Sequence, residues 1–287
     1  MYKFKPIIRT MVWGTETWVL SGVPGFESVV SEGPDAGKTI TEIYKGQFPL
    51  LFKFIDAKQD LSVQVHPNDE IAMRDHGCSG KTEMWYVIKA EEGAKLVSGF
   101  SKEVSRQECR QMIEDGSIMQ VLSQYEAKRG EVFFIPAGRV HSIGGGCYIA
   151  EVQQASDITY RLYDYDRMGL DGKPRKLHIE EALSAIDFTV EKDYQTHYGP
   201  SLNAATPLAS CPYFKTDLIT AYERIEKPLE DCGDFVVLIC LEGSGTVSTS
   251  LSGSMNIVPG EALMIFTQDE KVILEPDEKL KLLITRI

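Results

Sequence analysis

Gly130-Glu-Val-Phe-Phe-Ile-Pro-Ala-Gly-Arg-Val-His141 is the stretch that decides the fold class. Its apolar run is short, rich in β-branched and aromatic residues, and bounded on both sides by turn formers, which is the pattern of a strand. Gly-Glu opens the strand after a turn, and Pro-Ala-Gly turns the chain again just before His141, where a β-barrel would have its mouth. The unit is echoed by Gly260-Glu-Ala-Leu-Met-Ile-Phe266. Upstream of each copy runs an apolar strand ending in an acidic turn, Trp85-Tyr-Val-Ile-Lys-Ala-Glu-Glu-Gly93 and Val236-Val-Leu-Ile-Cys-Leu-Glu-Gly243. The second copy carries Gln268-Asp-Glu-Lys271 where the first has Gly138-Arg-Val-His141, and it holds no histidine.

Further β-patterned runs occur at 50–54, 61–65, 147–152 and 280–287, whereas helical signals are few. Ser105 is a plausible N-cap for a helix ending at Gly116, and His178–Ile186 has helical apolar spacing. Many strands and few helices predict a mainly β sandwich or jelly roll. Leu202–Pro212, rich in turn formers, is the expected linker, dividing a catalytic metal-binding domain, 1–204, from a degenerate C-terminal jelly roll without metal, 205–287.

The chain's 287 residues suffice for two β-domains. A net charge of −12 disfavours nucleic acid as a partner but allows a local basic pocket for a small phosphorylated substrate. No segment reaches the ~18 apolar residues of a membrane span, so no membrane partner is expected. The N-terminus does not read as a secretory signal. The six cysteines contain no C-x-x-C pair, which suggests free thiols in a reducing cytoplasm. Gly33-Pro-Asp-Ala-Gly-Lys-Thr39 mimics a phosphate-binding loop but has three residues between its glycines where four are needed, and it reads as a surface turn.

Candidate chemistry gathers around four residues. Gln64 and His66 lie two apart in Ser62-Val-Gln-Val-His66-Pro-Asn-Asp69, so on a strand they point the same way. Glu83 lies in Gly80-Lys-Thr-Glu-Met-Trp85, and His141 lies downstream. Two imidazoles, a carboxylate and an amide oxygen suit zinc or a similar first-row divalent ion. In Asp157-Ile-Thr-Tyr-Arg161-Leu-Tyr-Asp-Tyr-Asp-Arg167 the two arginines lie six apart and would share a face on one continuous strand; they form either a solvated ion-paired surface or an anion site. Glu151, in an otherwise apolar strand, either meets solvent or enters the cavity as acid or base.

Taken together, Ser62–Asp69, Gly80–Glu83, Ile135–His141 and Tyr160–Arg167, with the opening Val12-Trp-Gly14 and Trp18, resemble the short bacterial form of type I mannose-6-phosphate isomerase. The resemblance covers nearly the whole chain, with its C-terminal third matching only as a degraded barrel, and the helical insertion of the long forms has no room in 287 residues. It implies a cupin-type double jelly roll with one zinc on Gln64, His66, Glu83 and His141, interconverting mannose 6-phosphate and fructose 6-phosphate. Its motif places Arg161 as the fixed cation for a cis-enediol. A proton carrier must titrate near neutrality, for which Glu151 and Lys81 are the candidates; Arg167, further along the strand from Arg161, is the phosphate candidate, and Lys81 and Trp13 are further substrate contacts. Homo-oligomer formation stays open. So do another metal-dependent cupin activity, a different phosphosugar isomerase or an oxygenase, and a non-catalytic sugar-phosphate binder.

Overall fold

The computed structural model describes residues 1–230 and 232–287, and the chain is mainly β, with three antiparallel sheets and a few short helices. The described residues fall into two compact units, neither of them continuous in sequence. One comprises Met1–Ile7, Val19–Pro49 and His197–Ile287; the other comprises Ile8–Trp18 and Leu50–Thr196. The early residues of the chain are thus split between the units, because the Tyr2–Phe4 strand pairs with Ala262–Phe266 and with Val30–Glu32.

The first unit carries a nine-stranded sheet around the long antiparallel partners Phe235–Thr249 and Lys271–Arg286. Its core is aliphatic, with Val236, Leu238, Leu263, Ile265, Leu282 and Ile284 fully buried. The expected linker is a correction here. Ala205–Ser210 is a strand at the sheet edge, paired with Lys215–Ala221. Thr206 and Leu208 are buried on alternate positions, and Pro207 sits beside a register shift, where an edge strand tolerates a residue without an N–H.

The second unit carries a seven-stranded and a five-stranded sheet. In the larger, Val132–Ile135, Glu83–Ala90, Cys147–Gln154 and Leu50–Ala57 lie side by side. In the smaller, the order is Tyr160–Tyr163, Val63–Val65, His141–Ile143, Lys95–Phe100 and Leu122–Glu126. Phe133, Ile135, Trp85 and Ile149 are buried in one apolar cluster, each side chain contributing roughly 1.5–3 kcal/mol of transfer free energy.

The repeat read from sequence is a repeat of structure. Gly130 N donates to Val87 O and Val87 N to Glu131 O; Gly260 N donates to Cys240 O and Cys240 N to Glu261 O. Both glycines hold left-handed backbone, φ 89° and 88°, which a side chain would strain. Arg106–Glu114 forms with Ser105 as N-cap and Glu108 completing a capping box, and Ile179–Ala185 forms the other expected helix. Residues 33–39 make turns rather than a phosphate loop, with Thr39 capping Ile40–Tyr44. Among the described residues, no helix is long and apolar enough to cross a membrane.

Candidate active site

His66 stands one residue beyond the Val63–Val65 strand, and the sequence after it fixes where the strand stops. Asn68 accepts a hydrogen bond from Ile71 N and starts the Asp69–His76 helix, a helix that the strand-centred reading of this motif did not foresee. Two glycines then bring distant backbone against His66. Gly138, at φ 90°, donates its N–H to His66 O at 2.9 Å, joining the turn before His141 to the first histidine. Gly80 passes so close that a Cβ would lie 2.6 Å from the Asn68 carbonyl carbon and the Asp69 nitrogen. That approach lets Lys81 N bond Pro67 O at 3.1 Å. Gly80→Ala should therefore destabilise the fold by roughly 1–3 kcal/mol, as overpacking against backbone does. Thermal or urea unfolding of the variant measures this, and an unchanged midpoint would refute the tight-approach argument.

Strand register does the rest. Gln64 pairs with His141 on one side and Arg161 on the other, so the three side chains stand in a row on one face of the five-stranded sheet. In the seven-stranded sheet Glu83 pairs with Gln153, while Trp85, Glu151 and Lys53 form the next row on the same face. Residues from the two rows meet. His66, Glu83 and His141 are all buried and offer one ligand atom each within 4.8 Å of one another. His66 Nε2 is 3.4 Å from Glu83 Oε2, and His141 Nε2 is 3.4 Å from Glu83 Oε1. Gln64 Nε2 lies 3.3 Å from His141 Nε2.

Both imidazoles are committed through Nδ1, His66 to Ile158 O and His141 to Arg139 O, each at 2.8 Å. That hydrogen bond fixes the ring and leaves Nε2 as the donor atom, the usual preparation of a metal-bound histidine. Burial first, then the Lys81 charge, pushes the His66 pKa down to about 3; burial also lowers that of His141. Both rings are therefore neutral at pH 7 and their contacts with Glu83 are not ion pairs. Burial pushes the Glu83 carboxyl upward, but the Lys81 charge beside it leads the interactions that outweigh burial and hold the group ionised. Glu83 Oε2 lies 2.8 Å from Lys81 Nζ yet receives no well-directed hydrogen bond. Two neutral nitrogens and a charged oxygen of this kind fit a divalent cation.

Lys81 precedes the Glu83–Ala90 strand rather than lying on it, but its buried Nζ reaches the same centre, 3.0 Å from His66 Nε2. From there a buried chain of alternating charge runs outward. Lys81 Nζ is 3.8 Å and Lys53 Nζ 3.1 Å from Glu151 Oε1, and Lys53 Nζ is 3.3 Å from Glu16 Oε1. Trp85 Nε1 donates to Glu151 Oε2 and Trp18 Nε1 to Glu16 Oε2. Burial, reinforced by the Glu83 charge, raises the Glu151 pKa to about 7, while the two lysines oppose it. The sequence left Glu151 open between solvent and cavity; its side chain is 2 % exposed and lines the cavity.

The cavity has a volume of about 200 Å³, and Trp13, Gln64, Lys81, His141, Glu151 and Arg161 are in its wall. Arg167 is not, and the reason is local. The strand ends at Tyr163, and Tyr165 and Asp166 take left-handed backbone (φ 55° and 51°), so the premise that Arg161 and Arg167 share one strand fails. Arg167 turns to Asp164 at 2.8 Å instead, and Arg175 takes its place in the wall. Sequence reasoning missed Arg175, Lys53 and Glu16. Lys53 had a signal, a lone lysine inside the apolar run Leu50-Leu-Phe-Lys-Phe-Ile55. Arg175 had none, since it lies in an irregular loop.

Comparison with known proteins agrees with this construction. Residues 26–109 match the family described as phosphomannose isomerase type I, catalytic domain. The chain is 33% identical to mannose-6-phosphate isomerase ManA of Bacillus subtilis, over 94% of this chain and 91% of that one. It is 36% identical to mannose-6-phosphate isomerase of Streptococcus mutans, over 82% and 78% of the two chains. A crystal structure of the mannose 6-phosphate isomerase from Bacillus subtilis superposes with a TM-score of 0.89 at 27% identity, covering 100% of this chain and 99% of that one. The fold and the buried His–Glu–His centre are those of a metal-dependent cupin isomerase. The chain belongs to the type I phosphomannose isomerase family, whose members are aldose–ketose isomerases.

Proposed function

We propose that this chain interconverts mannose 6-phosphate and fructose 6-phosphate, moving one proton between C1 and C2 through a cis-enediol in the cytoplasm, where its six free thiols belong. The observation that carries the reading is the row Arg161–Gln64–His141 set against Glu83: a divalent-ion site with a fixed guanidinium on the adjoining strand. Gln64, His66, Glu83 and His141 would hold the ion, and their mixed nitrogen and oxygen donors favour zinc. Such an ion polarises a substrate oxygen as a Lewis acid.

The remaining work falls to this chain's own side chains. Arg161 makes no ion pair among the described residues, and its permanent charge stabilises the negative charge that develops on O1 and O2. Glu151 carries the proton, because a carboxyl with a pKa of about 7 can both take and return it near neutrality. Lys81, tied to Glu83 and His66, orients the sugar oxygens beside the ion. Trp13 closes the cavity wall and keeps water out.

The test combines metal analysis of purified protein with a coupled assay for fructose 6-phosphate formed from mannose 6-phosphate. One zinc per chain and turnover without oxygen uptake are expected; tight sugar-phosphate binding without turnover would replace the enzyme with a binding protein. The pH dependence follows from the Glu151 assignment. As base it must be ionised, so kcat/KM should fall as pH drops through about 7. Glu151→Gln should remove that limb and lower kcat by roughly 10²–10⁴-fold. A variant retaining the acidic limb would transfer the role to another group.

A further inference from the structure

A phosphorylated sugar needs a cationic anchor separated from its reacting end, and the loop after Arg161 contains one that the sequence did not disclose. Past Tyr163 the chain folds back on itself, with Gly169 N bonded to Lys173 O at 2.7 Å and an antiparallel bridge between Met168 and Pro174. The return strand is clamped to Arg161. Arg161 N donates to His178 Nδ1 at 3.1 Å, His178 N donates to Arg161 O at 2.8 Å, and Arg161 Nη1 donates to Lys176 O at 3.0 Å. This closure brings Arg175 into the cavity wall next to Arg161.

Asp164 braces Arg175. Its Oδ2 accepts from Arg175 Nε and its Oδ1 from Arg175 Nη2, both at 2.6 Å, and Oδ1 also accepts from Arg167 Nη2 at 2.8 Å. Asp164 is 4 % exposed, so the fork is held rigidly. The fork uses Nε and Nη2 and leaves the two N–H groups of Arg175 Nη1 without a partner among the described residues. One carboxylate here serves two guanidiniums, and Arg161 has no ion pair, so the cluster carries an excess of two positive charges. A phosphate monoester brings about −1.5 to −2 at pH 7, with acceptor oxygens suited to guanidinium N–H groups.

We propose that Arg175, braced by Asp164, receives the phosphoryl group of the sugar phosphate, leaving Arg161 to the reacting oxygens and giving Arg167 only the part of a second brace. The assignment rests on the isomerase reading above and names the specificity element of the same cavity. Because its ligand chemistry is phosphate, it can be probed without turnover.

Inorganic phosphate should be titrated calorimetrically into the metal-loaded protein, wild type, R175A, R175K and R167A, alongside steady-state kinetics on mannose 6-phosphate. R175A is expected to weaken phosphate binding and raise KM by roughly 10–100-fold, the worth of a charge-assisted hydrogen bond, with kcat within a few-fold. R175K, which keeps the charge facing Asp164, should fall between, and R167A should change KM less than R175A. Unchanged phosphate affinity in R175A and R175K overturns the assignment. Absence of wild-type turnover would defeat the isomerase reading separately, and the phosphate titration would still decide the role of Arg175.

Discussion

Arg161→Ala is expected to lower kcat by roughly 10²–10³-fold while the purified protein retains its metal. The side chain lies on the strand next to Gln64, and among the described residues it makes no hydrogen bond or ion pair with His66, Glu83 or His141, so the ion site has no need of it. Its loss removes a fixed positive charge that the neighbouring lysines are not placed to replace: Lys81 is tied to Glu83, and Lys53 lies between Glu16 and Glu151. Arg161 Nε is buried and unpartnered, and burial together with the Arg175 charge disfavours the cation. An incoming negative charge relieves that condition, which makes the residue most valuable at the enediolate. Steady-state kinetics with metal analysis on the same preparation tests the claim. Loss of zinc from the variant would show that Arg161 supports the ion site instead.

His141→Ala should abolish both metal and turnover. The imidazole is fully buried, held by Arg139 O, and its Nε2 faces Glu83. Removing a direct donor should weaken metal binding by at least ~10²-fold, since even outer partners of such ligands are worth 10–100-fold. The fold should survive, because Lys81 remains beside the Glu83 carboxylate and spares it from being an unpaired buried charge. Mass spectrometry of the protein after dialysis gives the metal content, and circular dichroism gives the fold. A variant retaining one equivalent of tightly held ion would exclude His141 from the ligand set.

What the sequence made legible was whatever strand alternation and turn chemistry encode. Gln64 and His66 could be read onto one face because side chains alternate every residue on a strand, and His141 could be tied to the same centre because Pro-Ala-Gly ends the preceding strand. The site's wider electrostatics were not legible, because they depend on which strands become neighbours. Glu151 stands opposite both Trp85 and Lys53 only after three strands have assembled, and its near-neutral pKa is a product of that assembly. Arg167 and Arg175 exchanged places for a related reason. Periodicity extends only as far as a strand does, and two left-handed residues after Tyr163 ended it. Ala205–Ser210 failed in the opposite sense, since an edge strand with a proline lacks the apolar density by which strands are recognised.

The twin frames at Gly130 and Gly260 have a consequence for how such chemistry can be gained or lost. Each is the same hydrogen-bonded turn feeding the same strand pairing, and only one continues into a histidine. The backbone is therefore indifferent to whether it serves a reactive centre. Catalysis in this architecture is a matter of a few side chains written onto a scaffold that stands without them, so one copy can fall silent while the geometry it shares with the other persists.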